Sequence, residues 1–407
     1  MDSLLNATSL PEDFSNMSME TDKMPVNSWP DEPPECRESD FSASLYRFPD
    51  WLLTRFYEHK YFEKIVITVL IPIVFVFGFV GNVAFLFVVA RLKEMRTLTN
   101  FYLANLAIVD LLYVTLTAVR SCLQYALSNG LKGSEIFRTN TQCLIGYGSE
   151  YATFYASLSL VTLVTFERFL AICYPLKHRA VNTKKRTVTL VVISWVIAVG
   201  IAVPVAPAAG RISKICLLWP STERWQKYPA MAYTCYYVTP GFINIRDLAL
   251  FIPFVIVLVI NTVLYSQIIA RLSNRAVITN ERSKEQSSAN KVRNQVARML
   301  IINGIIFFLC LVPYQVDKFH RIFSRYTGIY WYDKDTRAAI NWVSKCLLIL
   351  NSSINPYVYN FTNNKYRSAF VKALGLAKND AKSSTKMSSA ASTKTSSATH
   401  TTRANNI

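Results

Sequence analysis

The chain has 407 residues, of which 51% are hydrophobic and 17% are charged. Soluble domains carry about 25% charged residues, so the deficit argues against an ordinary soluble protein and points to a membrane protein. The net charge of +18 does not mark a nucleic-acid binder, because the basic residues flank apolar runs and form no single face of a soluble domain.

Residues 1–50 are acidic and rich in Pro and Ser, and 1–60 is expected to be a disordered outer tail. No cleavable leader is apparent in the polar, acidic stretch 1–16. The sequons at Asn6 and Asn16 are expected glycosylation acceptors. Seven apolar segments follow: 65–90, 97–119, 143–174, 187–209, 248–270, 299–316 and 338–364. Each is near or above the length that crosses a bilayer. Lipid offers no hydrogen bonds, so each must be a helix. The first holds Gly78, Gly81 and Asn82, small and polar residues suited to close helix contacts. The second has Asp110 as its one charge, with Arg120 and Cys122 beyond it. The third carries Glu150 early and Glu167-Arg168 late, roughly 27 Å apart along one helix. Ionisable groups at such depths are costly, so each is a functional candidate; the plainer alternative is a charge that only pairs with a neighbouring helix.

After the fourth segment comes a long loop, 211–247, in which 210–219 and 230–238 have the pattern of two strands around a polar turn, 221–228. Cys143, Cys216 and Cys235 fall at this end, which predicts a disulfide there. Cys143–Cys235 is preferred over Cys143–Cys216, and the pairing of Cys36, Cys122 and Cys216 stays open. Cys173, Cys310 and Cys346 are expected to be free thiols. Pro253, Pro313 and Pro356 lie inside the last three segments and permit kinks. Residues 364–370 form an amphipathic stretch suited to a membrane surface. The receptor-like unit is expected to span 61–376, and 377–407, dominated by Ser, Thr, Ala and Lys, is expected to be a disordered tail. Basic residues favour the loops 91–99, 174–186 and 271–298 as cytoplasmic, which puts the amino terminus outside.

Gly81-Asn82, Leu106 to Asp110, Cys143, Glu167-Arg168-Phe169, Trp195, Pro253, Phe307 with Pro313, and Asn355-Pro356-Tyr357-Val358-Tyr359 stand in one order and spacing. Together they resemble the rhodopsin-like (class A) G protein-coupled receptors, over about 65–370. The resemblance implies an all-α fold: a seven-transmembrane helix bundle with a short cytoplasmic amphipathic helix and an extracellular β-hairpin loop. It implies a sodium pocket at Asp110, Asn82, Ser157, Asn351 and Asn355, with sodium as an allosteric modulator and no cofactor required. It implies a switch and G protein contact at Glu167, Arg168, Phe169, Leu176, Asn355, Pro356 and Tyr359. By the same spacing Arg120, Glu150, Tyr151, Tyr314, Gln315, Lys318 and Lys345 face a ligand pocket, with Glu150 and Lys345 close enough to pair.

The chain departs from the family pattern at Phe169, Leu311, Asn261 and Arg293, where Tyr, Trp, Tyr and in some members an acid stand; Arg168 is then expected to be held by Glu167 alone. Asn261 resembles a group of peptide receptors that includes FMRFamide receptors. The expected ligand is a neuropeptide, since a charged pocket, a hairpin lid and a long acidic tail suit one; the alternative is a biogenic amine or other small molecule. Expected partners are a heterotrimeric G protein, a receptor kinase, arrestin and the lipid of the plasma membrane. Nothing suggests an enzyme, since the four His and eight Cys make no metal or nucleophile constellation.

Overall fold

The structure is a computed structural model and describes residues 44–47, 53–54, 57–239, 241–278 and 284–375. The sequons, Cys36 and the tail 377–407 lie outside these residues. Seven long helices form the bundle: α1 (Tyr61–Arg91), α2 (Leu98–Leu127), α3 (Asn140–Cys173), α4 (Lys184–Val205), α5 (Gly241–Ile278), α6 (Lys284–Thr327) and α7 (Lys334–Thr362). The short helix α8 (Asn364–Ala373) follows. Side-chain oxygens fix several helix starts. Thr97, Thr139, Thr183, Asp333 and Asn363 each accept a hydrogen bond from a backbone N–H in the first turn of the helix that follows, which satisfies donors that the helix itself leaves free.

Among the described residues, six helices, α1 to α6, are long and apolar enough to cross a membrane. Their outward faces are apolar: Val76, Phe87, Val196, Val259 and Leu309 are all exposed. α7 has the length, at 29 residues, but is more polar. It packs against α1, α2 and α6 and turns Ser344, Asn351, Ser352, Ser353 and Asn355 inward, all buried. α3 runs through the centre and touches α2, α4, α5 and α6. Gly78 of α1 lets α7 approach closely: a Cβ there would lie 2.7 Å from Ser353 Cβ and 3.0 Å from its Cα.

At one end, strands β2 (Arg211–Leu218) and β3 (Met231–Tyr236) pair antiparallel, with Ile212 opposite Cys235. This is the expected hairpin, and Cys143 and Cys235 form the expected disulfide. Cys122, Cys173, Cys310 and Cys346 form no disulfide, so Cys122 is not a partner of Cys216, which is itself disulfide-bonded.

The expectation of a tail without structure over 1–60 does not hold for its last part. Strand β1 (Ser44–Arg47) pairs in parallel with the other edge of β2, Ser44 opposite Ile215. An unpaired edge presents free backbone donors and acceptors, and β1 covers them. Leu53 and Tyr57 are buried in a small core with Leu131, Trp219, Trp225 and Tyr228. The expected polar turn is thus anchored: Trp225 is fully buried and stacks on Trp219 at 5.5 Å between ring centroids. Arg224 Nη2 binds Glu58 Oε2 at 2.6 Å and Tyr228 Oη donates to Glu58 Oε1 at 3.3 Å. Burial pushes the Glu58 carboxyl up, but the Arg224 hydrogen bond and charge, with the Tyr228 bond, hold it below the usual carboxylate value. Burial and this carboxylate push the Tyr228 hydroxyl up to about 12.

Candidate functional site

Two charged clusters lie under the hairpin. In the first, Arg120 of α2 binds Glu150 of α3 through Nη2, at 2.9 Å to Oε1 and 3.0 Å to Oε2. Arg120 Nη1 also reaches Glu135 Oε1 at 3.8 Å, and its guanidinium lies 4.6 Å from the Tyr147 ring centre. Tyr147 Oη donates to the same Glu135 oxygen at 2.7 Å. The expected Glu150–Lys345 pair is therefore corrected: Glu150 belongs to Arg120. A planar guanidinium can serve two carboxylates and an aromatic face together, which an ammonium cannot. Lys345 has no acid within 4.0 Å among the described residues, and its ammonium lies 5.2 Å from the Trp342 ring centre. It remains in the field of Arg120, Glu150 and Glu135.

The second cluster is built by α5 and α6. Asp247 is fully buried; Arg246 Nε lies 3.0 Å from its Oδ1, and Arg325 Nη2 lies 2.6 Å from its Oδ2. Lys318 Nζ stands 4.0 Å from Oδ1 and 4.5 Å from the Tyr314 ring centre. Asp317 is matched by Arg321 at 3.0 Å and Arg337 at 3.5 Å. Gln315 is buried with neither amide atom hydrogen-bonded. Tyr151 is buried, 6.5 Å from Tyr147 between ring centroids. Of the residues expected in the pocket, Arg120 and Glu150 meet directly, Tyr314 and Lys318 stack, and Lys345 stands apart. Sequence reasoning missed Glu135, Tyr147, Arg246, Asp247, Asp317, Arg321 and Arg325. Arg246 and Asp247 looked like loop because apolar sequence resumes at Leu248, yet α5 begins at Gly241. The four-residue spacing of Asp317 and Arg321 was a legible helical signal.

Deeper in the bundle, Asp110 is fully buried, and its Oδ2 accepts from Asn355 Nδ2 at 2.6 Å. Asn82 Nδ2 donates to the carbonyls of Gly78 and Ser352, at 2.9 Å each. Asp110 Oδ1, Asn82 Oδ1, Ser157 Oγ and Asn351 Oδ1 are buried without a partner. Orphaned oxygens of this kind suit a small hard cation. Ser352, absent from the expected set, also lies against Asp110.

At the opposite end, Arg168 Nη2 donates to Thr99 Oγ1 and lies 3.9 Å from Glu167 Oε1. Glu167 is bound more closely by His178 Nε2, at 2.8 Å. Arg168 is therefore not held by Glu167 alone: a hydroxyl on α2 shares it, and an imidazole competes for the acid. The Arg293 side chain lies outside the described ones. Phe169 packs on Tyr174, ring centroids 5.5 Å apart. Leu176, on the short helix Pro175–Val181, is 83% exposed. Tyr359, beyond Pro356 on α7, is buried between Phe85 and Tyr366, at 5.4 and 5.8 Å between centroids. Asn261 Nδ2 donates to Thr162 Oγ1 at 3.0 Å, tying α5 to α3.

The sequence that builds this bundle is similar to that of known proteins. Residues 81–359, more than half the chain, match the family of 7 transmembrane receptors (rhodopsin family). The Caenorhabditis elegans neuromedin U receptor homolog nmur-2 is 26% identical over 74% of this chain and 77% of its own length. The growth hormone secretagogue receptor type 1 of Sus scrofa is 29% identical over 91% of this chain and 92% of its own. The Bombyx mori allatostatin-A receptor is 25% identical over 79% and 83%. The chain is a multi-pass membrane protein, and it belongs to the rhodopsin family of G protein-coupled receptors.

Proposed function

We propose that the chain is a plasma-membrane receptor whose amino terminus lies outside, that binds a neuropeptide under the hairpin and activates a heterotrimeric G protein at the opposite end. The ligand class rests on the partnering of Glu150. An amine would need an acid free to receive an ammonium, but Glu150 is held by Arg120 through both carboxylate oxygens. Taking one partner from a buried pair costs about 3–5 kcal/mol. A peptide needs no such exchange, since it brings amides, carbonyls and several charges to the many charged and polar side chains at this end. The relatives named for neuromedin U, growth hormone secretagogue and allatostatin-A support this reading.

Arg168 would leave Thr99 and Glu167 to meet the G protein, beside the exposed Leu176. Tyr359 would turn inward from its place on Phe85 and Tyr366. Asp110, Asn82, Ser157, Asn351 and Asn355 would hold sodium through the oxygens left without partners. Sodium bound in the resting packing disfavours the active one, so it lowers agonist affinity, and Asp110→Asn removes that dependence at constant ionic strength. Equal salt sensitivity in variant and wild type would overturn the sodium site. The Ser- and Thr-rich stretch 377–407 would become anionic on phosphorylation by a receptor kinase and recruit arrestin.

Screening a neuropeptide library in cells carrying calcium and cyclic-AMP reporters tests the function. At least one peptide should give a saturable response that Arg168→Ala abolishes at normal surface expression. A response to a biogenic amine and to no peptide would overturn the peptide reading.

A further inference from the structure

The two clusters under the hairpin differ in charge balance. In the first, Arg120 and Lys345 stand against Glu135 and Glu150, two against two. In the second, among the described residues, Arg246, Lys318, Arg321, Arg325 and Arg337 stand against only Asp247 and Asp317, a surplus of three positive charges. Arg321, Arg325 and Arg337 reach partly into solvent, at 21%, 25% and 34% exposure, but Lys318 and Arg246 sit deeper beside the buried Asp247. The side chain of Lys318 is 7% exposed, that of Arg246 20% and that of Asp247 0%. Like charges confined at low dielectric repel, and a fold tolerates them where function requires the missing counter-charge.

The donors left over show where that counter-charge belongs. Arg246 uses Nε on Asp247 Oδ1, and its two terminal nitrogens make no hydrogen bond among the described residues. Lys318 Nζ stands 4.0 Å from the same oxygen, beyond hydrogen-bond reach, so its three donors are unspent. Gln315, three residues before Lys318 and so on the same face of α6, is buried with Nε2 and Oε1 both unpartnered. A guanidinium edge and an ammonium are donors only, and with the Gln315 amide N–H beside them they complement a carboxylate, which accepts along two oxygens at once.

We propose that Arg246 and Lys318, set side by side on Asp247 Oδ1, form a subsite for a carboxylate of the ligand, with Gln315 as a further donor. This rests on the hairpin end being the ligand pocket. Asp247 acts through the two cations: it is a positioning residue that holds them together and keeps their charge from separating them.

Two measurements test the subsite. The first needs no ligand. Lys318→Gln removes a surplus buried charge, so the purified, unliganded receptor should melt a few degrees higher than wild type. A lower melting temperature would mean that Lys318 is already satisfied within the fold, and would overturn the proposal. The second uses the agonist peptide recovered from the library, synthesised with each carboxylate replaced in turn by a carboxamide. One replacement should cost roughly tenfold to hundredfold in potency at the wild-type receptor. In Arg246→Gln and Lys318→Gln the parent peptide should be weakened and the same replacement should cost little. An agonist that keeps its potency without any carboxylate, or a loss equally large in the variants, would overturn the subsite and leave the receptor's peptide function intact. If no peptide activates the receptor, the peptide reading fails, and the carboxylate subsite is decided by the melting measurement alone.

Discussion

Arg168 rests on two oxygens of unequal strength: the Thr99 hydroxyl, which it contacts directly, and Glu167, at 3.9 Å and shared with His178. The acid therefore restrains Arg168 only as far as the imidazole allows. A hydrogen bond to a charged group is worth about 1.5–3 kcal/mol. Thr99→Val should accordingly raise agonist-independent nucleotide exchange by roughly tenfold in membranes, whereas His178→Ala, which returns Glu167 to Arg168, should lower it. At the other end, Arg120→Ala leaves Glu150 and Glu135 as buried charges without their cation. Surface expression should fall by the equivalent of about 3–5 kcal/mol of stability, and Arg120→Lys should recover little of it. The family resemblance set Arg120, Glu150 and Lys345 near one another at the hairpin end, and the structure brings Arg120 onto Glu150 with Lys345 in their field. The sequence did not show which cation Glu150 takes. That depends on side-chain reach and on the two-sided bonding of a guanidinium, and the loop acid Glu135 that completes the network carried no periodic signal.

Among the elements, the helices were legible because lipid imposes both length and apolarity. Their starts were less so, because caps such as Thr139 and Asp333 set them rather than hydropathy. This is why Arg246 and Asp247, one and a half turns inside α5, fall outside the apolar run that begins at Leu248. The contact of α1 with α7 depends on Gly78. Its substitution by Ala would drive a methyl against Ser353 Cβ and the backbone behind it. Overpacking of this kind costs about 1–3 kcal/mol, so Gly78→Ala should lower the melting temperature of the purified receptor. The Cys143–Cys235 disulfide joins α3 to β3 across 92 residues of sequence. Closing a loop of that length restricts the unfolded chain by about 4–5 kcal/mol. Cys143→Ser and Cys235→Ser should each reduce surface expression strongly, and the double variant should be no worse than either one.

For the whole molecule, the roof over this end of the bundle is a composite: a hairpin, a third strand from the amino-terminal segment, and the buried pair Trp219 and Trp225. Nothing in the acidic composition of 1–60 announced that β1 or Tyr57 would join it, because the β2 edge they cover exists only after folding. The Glu58–Arg224 contact latches this roof to the start of the first helix. Glu58 has its folded pKa below the ordinary 4.5, so its contribution is full above that value and is lost as pH falls through the lowered one. Acid titration of tryptophan fluorescence should therefore show a transition in wild type that is missing in Glu58→Gln. The polar interior of α7 has a consequence for biosynthesis. This helix leaves the ribosome last of the seven, and with Lys345 and its inward Ser and Asn residues it would partition poorly into lipid by itself, since a central Lys costs about 2.5–3.5 kcal/mol on insertion. Its entry into the bilayer is thus coupled to the helices made before it, whose Asp110 and Asn82 supply the hydrogen bonds that lipid withholds. A reporter fused after 334–362 alone should remain largely uninserted, and co-expression of 1–332 should restore its insertion.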